Sequence, residues 1–373
     1  MSRPRICVVI VVAAIACACG SPSPIAQATP SPSPTRLSVA TPTASPPPVA
    51  SATLVISPSP DGKHTLIQSF ADPAHPATQF SLNLTARNVR FISGREIGYA
   101  ISSLPDSPTA GITEILRMNL SDKRPVSVAK FKGDAVDFAW SPDGANLSYL
   151  VHTEVPSEAE RLWLKVGAAA PRALTPLIPL YGREYISSDE SMVRFSHDGR
   201  YLLMVDTVVS PRYFQVWSVP GSKVVWSPPE PPTGPLTMAV WSHLSDRLYY
   251  QGAGVRSWDA ATKRVGIVSS ALGWSLPSLS PSDRFVAYES TGPDGKKRVE
   301  VRDLLSGSVK VLRGVLGRPN LLSDTMMIEA HLTLQSTPIG PYYAVSHYYV
   351  RSLVTNAETA LPTGFATVDI WPH

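Results

Sequence analysis

Val136-Asp-Phe-Ala-Trp-Ser-Pro-Asp-Gly144, followed at once by Asn146-Leu-Ser-Tyr-Leu-Val151, decides the fold. Two apolar, strand-like runs flank four residues that reverse the chain. Proline presets φ at the first central position, aspartate accepts backbone N–H groups, and glycine takes the left-handed position. Ser141 can bond into the same turn. The unit recurs. Val193-Arg-Phe-Ser-His-Asp-Gly199 leads into Tyr201–Val205, Ala239–Asp246 into Arg247–Tyr250, and Pro277–Asp283 into Arg284–Tyr288. Leu54-Val-Ile-Ser-Pro-Ser-Pro-Asp-Gly62 is another copy. Val89–Gly94 with Ile97–Ala100, and Leu321–Asp324 with Met326–Ile328, are degraded ones.

Anchoring the copies on Ser59, Ser93, Ser141, Ser196, Ser242, Ser280 and Ser323 gives steps of 34, 48, 55, 46, 38 and 43, with a mean of 44. A strand-built period near 40–50 residues is that of β-propeller blades. Further alternating strands follow most anchors: Arg161–Val166, Tyr213–Ser218, Gly254–Trp258, Arg298–Arg302 and His347–Arg351. Asp61, Gly62, Asp143, Gly144, Asp198, Gly199, Asp246 and Asp283 are expected to form turns, with the first four aspartates and Asp283 around one face. Trp140, Phe195 and Trp241 are expected to pack between blades. Ala366-Thr-Val-Asp-Ile-Trp-Pro372 echoes Ala135–Pro142, so the last strand should complete the first blade and leave no free inner edge. The expectation is all-β: one propeller over 53–373, with seven four-stranded blades closed by the C-terminal strand. Six or eight blades, or a pair of β-sandwiches, are the alternatives.

These residues resemble the TolB-type, WD-repeat-like propeller family, whose blades carry a Trp-Ser-Pro-Asp-Gly turn. The resemblance covers about Thr53 to His373. It departs where His197 replaces proline and where Ser242 to Asp246 carries an extra residue. It implies a scaffold or partner role in the bacterial envelope.

Met1–Arg5 carries two positive charges, and Ile6–Ala16 is uninterruptedly apolar, about 11 residues where a membrane span needs ~20. That order is a secretory signal; an uncleaved anchor is the other reading. Ile15-Ala-Cys-Ala-Cys-Gly20 resembles the lipobox of bacterial lipoproteins, which implies a diacylated cysteine at Cys19, with Cys17 as the alternative. Residues 1–18 would be removed. Residues 19–52, rich in proline, serine and threonine, would form a disordered tether, because such a stretch buries too little apolar area to offset its ordering entropy. The protein would be exported and lipid-anchored to the outer face of the cytoplasmic membrane, or to the outer membrane.

The remaining composition narrows the function. There are 37 prolines in 373 residues, which disfavours a helical body. The net charge of +4 falls to +2 without Arg3 and Arg5, so a nucleic-acid partner is not expected. All three cysteines (Cys7, Cys17, Cys19) lie near the N-terminus, leaving the body without a thiolate metal site. No Walker loop, His-Glu-x-x-His or Gly-x-Ser-x-Gly occurs, and Gly252-Ala-Gly254 lacks the rest of a dinucleotide loop. The histidines at 64, 75, 152, 197, 243, 331, 347 and 373 form no local metal pair, although His197 and His243 hold turn positions in successive blades. Asp189-Glu190, with Glu184, matches no catalytic motif. The tryptophans (140, 163, 217, 226, 241, 258, 274 and 371) read as core. Specificity is expected in the loops 102–111, 154–159, 168–191, 227–235 and 333–343. The expectation is therefore no catalytic residue, cofactor or metal, and a non-catalytic scaffold with an envelope protein partner. The alternatives are a glycan lyase or hydrolase with a site in the channel, which would require His, Arg and carboxylates converging there, and an accessory subunit of a sensor or transporter.

Overall fold

A computed structural model describes residues 53–371, apart from residues 62, 73–75, 84–86, 105–108, 154–158, 180–190, 207–212, 230–238, 253, 271–276, 313, 315, 338–339, 364 and 366–368. Residues 1–52, on which the expected leader and tether and Cys17 and Cys19 fall, lie outside the described residues, as do Gly62, Glu184 and Asp189-Glu190.

The strands form seven sheets. Blade 1 is β29 (Asp369–Trp371), β1 (Leu54–Pro58), β2 (Thr65–Ser69) and β3 (Ala77–Leu82), in that spatial order. Blade 2 is β4 (Arg87–Ser93), β5 (Glu96–Ser102), β6 (Ile112–Asn119) and β7 (Pro125–Lys132). Blade 3 is β8 (Asp134–Trp140), β9 (Asn146–Thr153), β10 (Ala159–Val166) and β11 (Arg172–Ala173), with β12 (Ile178–Pro179) also on β10. Blade 4 is β13 (Ser191–Phe195), β14 (Tyr201–Asp206), β15 (Tyr213–Ser218) and β16 (Lys223–Trp226). Blade 5 is β17 (Ala239–Trp241), β18 (Arg247–Gly252), β19 (Gly254–Asp259) and β20 (Val265–Ser269). Blade 6 is β21 (Ser278–Leu279), β22 (Phe285–Thr291), β23 (Lys297–Asp303) and β24 (Val309–Leu312). Blade 7 is β25 (Leu316–Leu321), β26 (Met326–Thr337), β27 (Gly340–Ser352) and β28 (Glu358–Ala360). Among the described residues every strand pairing is antiparallel, as expected for a meander. Blade 3 departs from four strands: Pro171, Pro176 and Pro179 lack the N–H a continuous edge strand needs, so its outer position is filled by two short pieces.

The ring closes as expected. Leu54, Val55 and Ile56 pair with Trp371, Ile370 and Asp369, which puts the C-terminal strand innermost in blade 1. This corrects one anchor. In blades 2 to 7 the serine turn joins the first and second strands. The Ser59–Asp61 turn joins β1 to β2, the second and third strands of blade 1, and so lies at the opposite face. Its bonds match those of the other turns: Ser59 N–H donates to His64 O as Ser141 N–H donates to Asn146 O. The place that Ser59 was expected to fill belongs to the end of β29.

Seven apolar clusters among the described residues fill the seven seams between blades. Ile56 and Ile67 meet Phe91 and Ile97 between blades 1 and 2. Leu150 and Leu164 meet Val193 and Leu202 between blades 3 and 4, and Val55 and Phe70 meet Ile328 and Val350 at the closing seam. Trp140, Trp217, Trp241 and Trp258 are buried in such seams, and Trp226 stacks on Trp258 at 4.9 Å. Gly98 on β5 lies flat against Trp140 of the next blade; a Cβ there would sit 2.0 Å from Trp140 Cζ3.

Candidate functional site

The innermost strands β29, β4, β8 and β13 touch one another in succession and form one side of the ring's axis. Their sequences place acids and arginines at matching heights. Asp137 is 2% exposed and binds both neighbouring blades. Arg90 Nη2 donates to its Oδ1 at 2.9 Å. Arg194 Nη1 at 2.7 Å and Val193 N–H at 2.8 Å donate to its Oδ2. Burial opposes ionisation of Asp137, but Arg194, Arg90 and the Val193 N–H outweigh it and hold the carboxyl below its ordinary range. Asp369, at the matching place on β29, accepts Phe91 N–H at 2.7 Å. Here burial prevails over the more distant Arg90 and Arg194, and the carboxyl is pushed up. Farther round, Ser278 Oγ accepts Leu321 N–H at 2.9 Å and Glu289 Oε1 accepts Arg318 N–H at 2.7 Å, tying blade 6 to blade 7.

The first-to-second strand turns form the rim of one face. Asp143 and Asp198 bond within their own turns. Each accepts its own turn's serine hydroxyl, and the N–H of Ala145 or Arg200. The Ser141 hydroxyl and the Ala145 N–H hold the Asp143 carboxyl below its ordinary range. Gly144 and Gly199 take φ of 67° and 72°. Asp61 makes the same bonds with Ser59 and Lys63 N–H at the other face.

Asp246 and Asp283 do something else. Aligning Ser280-Pro-Ser-Asp283 with Ser-Pro-Asp-Gly puts Asp283 in the glycine place, and its φ is 56°. Its carboxylate crosses to blade 5, where it accepts the Ser242 hydroxyl, His243 N–H at 2.9 Å and Leu244 N–H at 3.0 Å. Asp246 accepts Arg200 Nη2 of blade 4 at 2.9 Å. In the longer turn of blade 5, Ser245 takes over the local bond to Ser242. Both carboxylates reach a neighbouring blade, while the Asp283 backbone still closes its own turn, its N–H donating to Ser280 O at 2.8 Å. Burial lowers His243, with Asp283 partly offsetting it.

A second polar cluster escaped the sequence reading. Glu329 and His331 share one face of β26. Arg351 of β27 and Glu358 of β28 complete the set. Arg351 Nε donates to Glu329 Oε1 at 2.6 Å, and its Nη2 donates to a Glu358 oxygen. His331 Nε2 lies 3.3 Å from Glu358 Oε2 and 3.8 Å from Glu329 Oε1. Burial pushes Glu329 up to about 7, with Arg351 only partly offsetting it. Glu-x-His in a strand with period-2 alternation was the available signal; Glu358 lies too far along the chain to be linked to it without the sheet.

No family model matches the chain, and no curated protein matches it. Among solved structures it is similar to a prolyl endopeptidase, with 12% identity, 85% of this chain against 49% of that one, and a TM-score of 0.54. It is also similar to TolB from Acinetobacter baumannii (12%, 85% against 66%, TM-score 0.42) and to the periplasmic gluconolactonase of Pseudomonas aeruginosa (14%, 83% against 95%, TM-score 0.47). The chain thus spans just under two thirds of that TolB and about half of that endopeptidase. At 12% identity the likeness to the endopeptidase is one of fold alone; the propeller itself is read from the seven sheets and their closure.

Proposed function

We propose that this protein is an exported bacterial lipoprotein, anchored through Cys19, whose propeller is a non-catalytic binding scaffold in the cell envelope. The leader and lipobox at 1–20 and the proline-rich stretch at 19–52 support export and tethering. The observation that carries the scaffold reading is Asp137. Both of its oxygens are engaged by Arg90, Arg194 and Val193 N–H, so the ionised carboxylate beside the axis clamps blades and offers no base to a substrate. On the rim, Asp246 and Asp283 likewise bind the neighbouring blade. Recognition then falls to the loops and strand ends carried by the rigid ring.

Two experiments test the proposal. Palmitate labelling with fractionation of the wild type and of Cys19→Ser should show label and membrane association in the first and neither in the second. Label retained by the Cys19→Ser chain would move the anchor to Cys17. Crosslinking in intact envelopes should capture one protein in stoichiometric yield. A chain that instead turns over a glycan, with turnover abolished in Arg194→Ala, is an enzyme and not a scaffold.

A further inference from the structure

The cluster in blade 7 has the donor set of a metal centre. Glu329, His331 and Glu358 each offer one ligand atom, and the three atoms lie within 4.8 Å of one another. A tetrahedral ion with bonds of about 2.0–2.1 Å needs donors roughly 3.3 Å apart. His331 Nε2 is 3.3 Å from Glu358 Oε2 and 3.8 Å from the Arg351-bound Oε1 of Glu329, whose carboxylate has only to turn to offer Oε2.

A second observation points the same way. Glu329 is 0% exposed, and its Oε2 is buried with no hydrogen-bond partner; His331 Nε2 is likewise buried without one. A buried carboxylate oxygen and an imidazole nitrogen left without donors cost stability unless a cation or proton meets them. Arg351 does not fill that role. It binds Glu329 through Oε1 and Glu358 through Oε1, which leaves Glu329 Oε2 without a partner and Glu358 Oε2 turned to His331. An outer partner that fixes ligating carboxylates is the usual second layer of a metal site. The His331 ring is held against Tyr349 at 4.1 Å. His331 and Glu358 keep 33% and 30% exposure, so one coordination position would face solvent.

We propose that Glu329, His331 and Glu358 bind one first-row divalent metal ion of the Zn²⁺ type, with Arg351 positioning both carboxylates. One imidazole with two carboxylates suits Zn²⁺, whereas Ca²⁺ and Mg²⁺ prefer all-oxygen sites.

The test uses the whole chain after chelator treatment and dialysis. Calorimetric titration with Zn²⁺ should saturate at one equivalent and raise the melting temperature. Co²⁺ should give the intense visible ligand-field bands of a tetrahedral centre. His331→Ala and Glu358→Gln should each weaken Zn²⁺ binding by more than the ~10–100-fold that loss of an outer partner costs. His197→Ala, on the rim, should bind as the wild type does. Both ligand substitutions fall on partly exposed side chains, and circular dichroism checks their fold; if one fails to fold, the other decides. Absence of stoichiometric uptake by the wild type overturns the proposal, and so does undiminished uptake by a folded His331→Ala or Glu358→Gln.

Discussion

Asp137 and Asp369 hold the same place on two innermost strands, in the matching contexts Val-Asp-Phe and Val-Asp-Ile. Each accepts a backbone N–H from the following blade. Yet Asp137 is held ionised and Asp369 is pushed toward its neutral form. The difference lies in the arginines. Asp137 sits between Arg90 and Arg194 and bonds to both, whereas Asp369 feels them only at a distance. One motif fixes where a carboxyl stands; the side chains of adjacent blades fix its charge.

The strongest way to break the comparison is to remove β29. Truncation after Phe365 would strip β1 of its partner and Phe91 N–H of its acceptor, opening the ring. Since domains are stable by only ~5–15 kcal/mol, the expected outcome is loss of a cooperative thermal transition, read by calorimetry. Asp137→Asn comes next. It leaves two guanidiniums partly buried without their anion, which should cost about 3 kcal/mol in urea denaturation. That is the low end for a broken buried pair, because Arg194 keeps 31% exposure. A loss no greater than that of an exposed pair would show that the clamp does not hold the blades.

The pH profile sharpens the contrast further, because the two acids act with opposite sign. The folded pKa of Asp137 lies below its unfolded value of 3.8, so its stabilisation is present above that value and is lost as pH falls through the folded pKa. The folded pKa of Asp369 lies above 3.8, so the folded state takes up the proton first and this residue's contribution improves as pH falls through it. Asp137→Asn should flatten the acid-side loss of stability, and Asp369→Asn should steepen it. At neutral pH Asp369→Asn should be close to neutral, since the amide oxygen can still accept Phe91 N–H; equal losses in the two variants would erase the distinction. The smallest effect is expected from Arg200→Ala. This rim residue is 66% exposed and bonds Asp198 and Asp246 through solvent-screened pairs, so the denaturation midpoint should not move measurably.

Much of the scaffold was legible from local chemistry. The turns at Ser141 and Ser196 form as read, and Tyr213–Ser218 and Lys297–Asp303 are strands as the alternation requires. The closing strand was visible because Ala366–Pro372 repeats Ala135–Pro142. The rim was legible only in part. Asp283 reads as an aspartate of the usual turn, whereas it stands in the glycine place, and its carboxylate faces another blade. That partner lies 39 to 41 residues away, beyond what any turn rule reaches. Glu329, His331 and Glu358 likewise become neighbours only when β26, β27 and β28 are laid side by side.

The residues by themselves determined where the chain bends and which faces are apolar, because φ preferences, N–H acceptors and alternation act within a few positions. Tertiary structure alone decided that the Ser59 turn joins second and third strands, that Asp246 and Asp283 serve neighbouring turns, and which inner carboxyl stays charged. Those outcomes depend on ring closure and on charges brought in by other blades, and electrostatic and burial energies follow distance in space, not along the chain.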